Sequence, residues 1–182
     1  MNLNKLSKII SHALRHQPSL YNLELDKGGW VDVSLLIESI QKVDSSFSSL
    51  SVLDIEEMIS ASKKKRHELK GNKIRASYGH SIQEKIIKKP SNPPEYLYHA
   101  TKQEALPNIF EKGLLPMRRQ YVHLSENKED AITVALRKTK APILLKINSM
   151  EASLKDVKFY REANNLWLSD KINPEYLEQI ES

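Results

Sequence analysis

The chemistry open to this chain rests on imidazoles and guanidiniums. Its six histidines are His12, His16, His67, His80, His99 and His123, and it has no cysteine. A thiol nucleophile, a thiolate metal site and a disulfide are therefore excluded. The histidines are expected to form no zinc-type pair, so no metal is expected. Five glycines leave no Gly-rich nucleotide loop, and no serine sits in a Gly-x-Ser-x-Gly elbow. What remains is a set of Arg and His residues at the ends of predicted elements. Arg15-His16 puts a guanidinium beside an imidazole. The first binds phosphate through two parallel hydrogen bonds, and the second, when protonated, adds a further donor. Equally, cations are favoured at a helix C-terminus with no ligand at all. Tyr98-His99-Ala100-Thr101 and Val122-His123-Leu124-Ser125 each place a histidine near a hydroxyl residue, a grouping that can hold ribose hydroxyls. A satisfied core or edge histidine is the plainer alternative. Arg118-Arg119 can meet a phosphate or belong to a solvated loop.

These residues need elements to position them. Leu6, Ile9, Ile10, Ala13 and Leu14 recur at helical spacing, predicting a helix over Lys5 to His16 that Gln17-Pro18 stops. Asp32 is an N-cap candidate for a second helix through Val33, Leu36, Ile37 and Ile40. Ser51 and Asp54 resemble a capping box for a third, ending near Ser62. Gly71-Asn72 between two short runs predicts a hairpin. Helices followed by a basic hairpin form a winged-helix pattern, used for nucleic acid and also for protein contacts.

Lys88 to Pro94 holds three of the eight prolines and is read as a linker. Beyond it, strands are predicted at 96–99, 121–124, 142–147, 157–160 and 166–168. Helices are predicted at 103–112 and 127–137, with Gly113 as a C-cap. The expected class is α+β, divided as 1–87, a linker at 88–95, and 96–182. Trp167 is expected in the core.

Hydrophobic content of 40% and charged content of 28% fit a folded globular chain rather than a disordered one. The net charge of +5 is unevenly spread. Between Lys63 and Lys89 ten Lys or Arg face only Glu68 and Glu84, a local +8. That block is either a polyanion site or a solvated basic surface. Neither a signal-peptide pattern nor a run of membrane-spanning length is present, so a cytoplasmic location is expected.

Taken in order, five fragments resemble the RNA 2′-phosphotransferase family over nearly the whole chain. They are Leu14-Arg15-His16-Gln17-Pro18 with Leu25-Asp26 and Gly29-Trp30-Val31; Lys65-Arg66-His67-Glu68-Leu69 with Ile74 to Ser81; Leu97 to Thr101; Arg119 to Ser125; and Phe159-Tyr160 with Asn164-Asn165-Leu166-Trp167-Leu168. The resemblance implies an N-terminal winged-helix lobe that binds RNA and a C-terminal lobe of ADP-ribosyltransferase fold that binds NAD⁺. It implies a two-step reaction. The RNA 2′-phosphate attacks the nicotinamide ribose C1″ and expels nicotinamide, and the ribose 2″-hydroxyl then attacks the phosphorus. Products are RNA with a free 2′-hydroxyl, nicotinamide and ADP-ribose 1″,2″-cyclic phosphate.

By the same resemblance Arg15, His16, Arg66 and Arg119 are the catalytic four. Arg15, His16 and Arg66 take the 2′-phosphate, and Arg119 acts on the phosphate being transferred. His99, Ala100, Thr101, His123 and Ser125 hold NAD⁺, while Arg75, His80 and Ser81 join the RNA contacts. The chain departs from the family at Ala100, where Gly is usual, at Ser77-Tyr78 in place of Asn-Gln, at Tyr121 in place of a frequent His, and at Asn165 in place of a frequent Gly. The expected substrate is RNA with an internal 2′-phosphate, tRNA foremost, acted on by a monomer without metal. Two alternatives use the same residues: an ADP-ribosyltransferase that caps terminal phosphates of nucleic acid, and a winged-helix nucleic-acid-binding protein without catalysis.

Overall fold

The computed structural model describes residues 1–163 and 165–181. Asn164, within the last motif, lies outside them. The chain divides into two compact units, Met1–Lys88 and Lys89–Ser182, and its class is α+β.

In the first unit, α1 (Leu3–Arg15) begins where the Asn2 side chain accepts a hydrogen bond from Lys5 N. It buries Leu6, Ile10, Ala13 and Leu14 on one face. Pro18 starts a 3₁₀ turn (Pro18–Tyr21) that takes the chain out of the helix axis. α2 (Val33–Val43) is capped by Asp32, whose carboxylate accepts from Ser34 N at 2.8 Å. α3 (Val52–Ala61) carries a full capping box, with Asp54 serving where Glu or Gln is commoner.

β2 (His67–Lys70) and β3 (Lys73–Ala76) form the hairpin, with Gly71 at φ 58° in the turn. A strand not anticipated, β1 (Trp30–Asp32), pairs antiparallel with β3, giving the order β1-β3-β2. It is set up by Asp26, whose Oδ1 accepts from both Gly28 N and Trp30 N at 2.9 Å. One core unites the three helices with Val31, Ile74 and Ala76 of this sheet.

The strands of the second unit are β4 (Tyr96–Thr101), β5 (Val122–Ser125), β6 (Ile143–Asn148), β7 (Phe159–Arg161), β8 (Leu166–Ser169) and β9 (Leu177–Ile180). Among the described residues they form a six-stranded antiparallel sheet, order β7-β8-β5-β4-β6-β9. Between them run α4 (Leu106–Lys112), α5 (Lys128–Ala135) and α6 (Ser149–Leu154). β9 and α6 had no clear periodic signal. The helix expected over 103–112 is a 3₁₀ turn (Gln103–Ala105) leading into α4, which places Pro107 in the first helical turn, where its missing N–H costs nothing.

Leu97, Leu145, Ile147, Val122, Leu124, Phe159 and Trp167 point into one core against Leu106, Ala152, Ile172 and Tyr176. Trp167 is 3% exposed, a core residue as its sequence setting indicated. Gly113 ends α4 at φ 85°, and a Cβ there would lie 2.1 Å from the Ile172 carbonyl oxygen, so no side chain fits. No helix among the described residues is long and apolar enough to cross a membrane.

Candidate functional site

In the first unit, the end of α1 and the start of β2 are knitted together by the segment from Ser77 to Ser81. Arg66 is the hub. Its carbonyl accepts from Arg15 Nη2 at 3.0 Å and from Ser77 N at 2.9 Å. Its own guanidinium donates from Nη1 to Ser62 Oγ at 3.4 Å. Ser81 N donates to the Arg15 carbonyl at 2.9 Å, and Ser81 Oγ lies 2.8 Å from His16 Nδ1. Arg15 and His16 are thus held in one hydrogen-bonded group with Arg66, which lies 51 residues from Arg15. Arg15 and Arg66 are half-buried and His16 is exposed. Such a group offers guanidinium edges and an imidazole to a dianion, at a helix end whose carbonyls already favour cations.

The other residues expected to touch RNA sit differently. Ser81 is exposed and braces His16. Arg75 donates from Nε and Nη2 to Glu68 Oε2 at 2.8 and 2.6 Å, and its guanidinium lies 4.5 Å over the Trp30 ring. His80 is only 4% exposed and feels the charges of Lys88, Arg15, His16 and Arg75.

Two imidazoles of this unit are held neutral. Burial, with Arg15 and Arg66 close by, pushes His67 down to about 3. Burial first, then Lys88, Arg15, His16 and Arg75, pushes His80 down to about 3 as well. His67 Nε2 lies 3.0 Å from Ser11 Oγ, which ties α1 to β2.

A pH effect follows. An unfolded imidazole titrates near 6.5. Between pH 6.5 and about 3 the unfolded chain therefore holds protons that the folded one refuses. This stabilisation is complete above that window and is lost as pH falls through it. By pH 5 the loss is roughly 2 kcal/mol per imidazole. The midpoint of urea unfolding is expected to be clearly lower at pH 5 than at pH 7. Equal midpoints would show that these rings are not buried as neutral groups.

Sequence reasoning missed one pattern here. His12 and His16 stand four apart on α1, the spacing of a metal-binding pair, and their ring centroids are 6.4 Å apart. Each ring is engaged elsewhere, His12 with Tyr21 Oη at 3.0 Å and His16 with Ser81. Among the described residues no group of three or more His, Asp or Glu could hold a metal ion.

In the second unit, strand ends carry the polar groups. His99 on β4 donates from Nδ1 to the His123 carbonyl at 3.0 Å. Burial pushes its pKa down, against that hydrogen bond, which favours the neutral ring. With the proton on Nδ1, Nε2 is left as an acceptor. His123 on β5 has the same tautomer for a different reason. Arg119 Nη1 lies 3.1 Å from its Nε2, and arginine can only donate. His123 Nδ1 then donates to the Tyr121 carbonyl at 3.1 Å.

The exposed Arg119 is thereby anchored at one end of its fork, in a turn closed by Arg119 N to the Pro116 carbonyl at 3.1 Å. Ala100 and Thr101 pair with Leu144 and Ile143 of β6, and Ser125 stands opposite Tyr98. All of these side chains are partly accessible. An open hollow of about 470 Å³ on this unit is lined by Asn92, Pro93, Pro94, Glu126, Arg161 and Trp167, none of them a singled-out polar residue of β4 or β5.

Matches to known proteins run through both units. A family model described as RNA 2′-phosphotransferase, Tpt1 / KptA family, matches residues 2–171. A probable RNA 2′-phosphotransferase of Acetivibrio thermocellus is 45% identical over 177 residues, covering 97% of each chain. One from Bacillus thuringiensis subsp. konkukian is 48% identical over 172 residues, 94% of this chain and 92% of that one. A more distant relative of the same description, from Pyrobaculum aerophilum, is 36% identical over 178 residues, 97% of this chain and 81% of its own length.

Proposed function

The chain belongs to the RNA 2′-phosphotransferase family, and from that membership we propose that it removes an internal 2′-phosphate from RNA by transfer to NAD⁺. The RNA keeps a free 2′-hydroxyl, and nicotinamide and ADP-ribose 1″,2″-cyclic phosphate are released. The observation that supports this most is the joining of Arg15, His16 and Arg66 into one hydrogen-bonded group through the Arg66 carbonyl and Ser81. It is a site for a phosphate dianion on a unit whose basic segment suits RNA.

In this reading the first unit is a winged-helix module and the second has the ADP-ribosyltransferase fold. Arg15, His16 and Arg66 hold and orient the 2′-phosphate. The acceptor nitrogen of His99 suits a ribose hydroxyl, with Thr101 and Ser125 as neighbouring hydroxyl partners and the Ala100 backbone available to an amide. NAD⁺ supplies an anomeric carbon whose nicotinamide can leave. Arg119 neutralises charge on the phosphorus during transfer. Fixed guanidiniums do this without reorganising, which is the role a magnesium ion takes in many phosphoryl transfers. His123 keeps Arg119 in place through its Nε2. The natural substrate in this reading is a tRNA bearing a 2′-phosphate, met by a monomer in the cytoplasm.

The test is incubation of the protein with NAD⁺ and an RNA oligonucleotide carrying one internal 2′-phosphate, in the presence of a chelator. Return of the RNA with a free 2′-hydroxyl, together with the cyclic phosphate, is the expected result. RNA that keeps an ADP-ribosyl group would identify a capping transferase instead. Unchanged RNA, with no thermal stabilisation by NAD⁺, would identify a binding module.

A further inference from the structure

Arg15 is held by more than its hydrogen bond to Arg66. Its guanidinium carbon lies 5.0 Å over the ring of Tyr78, within the range of a cation–π contact. The two restraints come from different residues. The bond from Nη2 to the Arg66 carbonyl fixes a point on the edge of the guanidinium. The ring lies against the guanidinium and restrains where it can move. Tyr78 is itself held from both sides, because Ser77 N binds the Arg66 carbonyl and Ser81 N binds the Arg15 carbonyl. Gly79, between them, has φ 87°, a left-handed conformation that suits glycine.

We propose that Tyr78 is a positioning residue that restrains the Arg15 guanidinium and thereby raises the affinity of this unit for the RNA 2′-phosphate. The proposal rests on the reading of Arg15 as a phosphate ligand. Bidentate recognition of phosphate takes place along the edge of the guanidinium, so it depends on the orientation of that plane. Arginine otherwise loses side-chain entropy when it binds, and a side chain already stacked has less to lose. Tyr78 acts through Arg15 and touches no phosphate.

The test compares the wild-type protein with Tyr78→Phe and Tyr78→Leu. Binding of one oligonucleotide is measured with and without its internal 2′-phosphate, in the absence of NAD⁺. The quantity read is the ratio of the two dissociation constants. Tyr78→Phe keeps the ring and is expected to keep the ratio. Tyr78→Leu is expected to reduce it by about five- to tenfold, the upper part of the range for newly immobilising one long side chain on binding, with the unphosphorylated oligonucleotide bound within about twofold of wild type. In an Arg15→Ala background, Tyr78→Leu is expected to change nothing further.

A ratio unchanged in Tyr78→Leu overturns the proposal. So does equal weakening of both oligonucleotides, which would make Tyr78 a platform for RNA bases, and so does a loss shared by Tyr78→Phe, which would place the effect on the hydroxyl. A wild-type protein with no phosphate-dependent ratio would overturn the functional reading itself, a result distinct from all of these.

Discussion

Arg66→Ala is expected to lower kcat/KM for a 2′-phosphorylated RNA by about a thousandfold or more, the range seen when a fixed cation or donor is removed from a phosphoryl or acyl transfer site. The structure makes this substitution unusually clean. Arg66 contributes two separate things. Its carbonyl receives Arg15 and Ser77, and its guanidinium reaches Ser62 at 3.4 Å. Alanine removes the second and leaves the first. The brace on Arg15 and the strap around it therefore survive, and so does the buried contact of His67 with Ser11. Thermal unfolding should move by no more than a few degrees, because the lost side chain is half-exposed and its hydrogen bond is long. Near-normal turnover would remove Arg66 from the site. A collapse of the fold would mean that the basic segment needs this side chain for its structure.

Replacement of Arg119 should separate the two halves of the reaction. With Arg15, His16 and Arg66 intact, Arg119→Ala is expected to leave KM for the RNA within a fewfold of wild type and to lower kcat by about 10²–10³. If Arg119 serves the transfer of the phosphate, nicotinamide release should outrun the appearance of RNA with a free 2′-hydroxyl. Arg119→Lys should rescue poorly. An ammonium cannot both donate to His123 Nε2 and present a second, parallel donor as the fork does. Equal loss of both products, with KM for the RNA raised in proportion, would instead make Arg119 a simple RNA-binding residue.

Much of the fold was legible because it is locally encoded. Asp32, Ser51 with Asp54, Pro18 and Gly113 punctuate helices through contacts within a few residues, and all of them act as element ends. The Gly71-Asn72 hairpin belongs to the same class. β1 was not legible, because three residues carry no periodicity and the pairing partner of Trp30 is Arg75. β9 and α6 escaped for similar reasons: Leu177–Ile180 alternates poorly, and the six residues of α6 are too short for a helical stripe.

The site divides in the same way. Residue types drew attention to Arg15-His16 and to His99 and His123, but nothing in their spacing tied Arg15 to Arg66, 51 residues away, and only resemblance joined them. His80 stood among the expected RNA contacts, and its burial is a tertiary property that a Gly-His-Ser motif does not announce. The hydrogen bond from Arg119 to His123 spans only four residues, yet it depends on the turn that closes at Pro116.

The Ser77–Ser81 strap also fixes when the phosphate group can form. Its bond to His16 closes a loop of 65 residues, while the helices and the hairpin that it joins close loops far shorter. Loop-closure entropy puts such a contact late in folding. During synthesis, a growing chain that has already produced α1, α2, α3 and the hairpin still lacks the segment that orients Arg15 and His16. Until the ribosome has released residue 81, the nascent unit holds Arg15 by the Arg66 carbonyl alone, while His16 lacks its partner Ser81 and the group that would single out one phosphate on an RNA is incomplete.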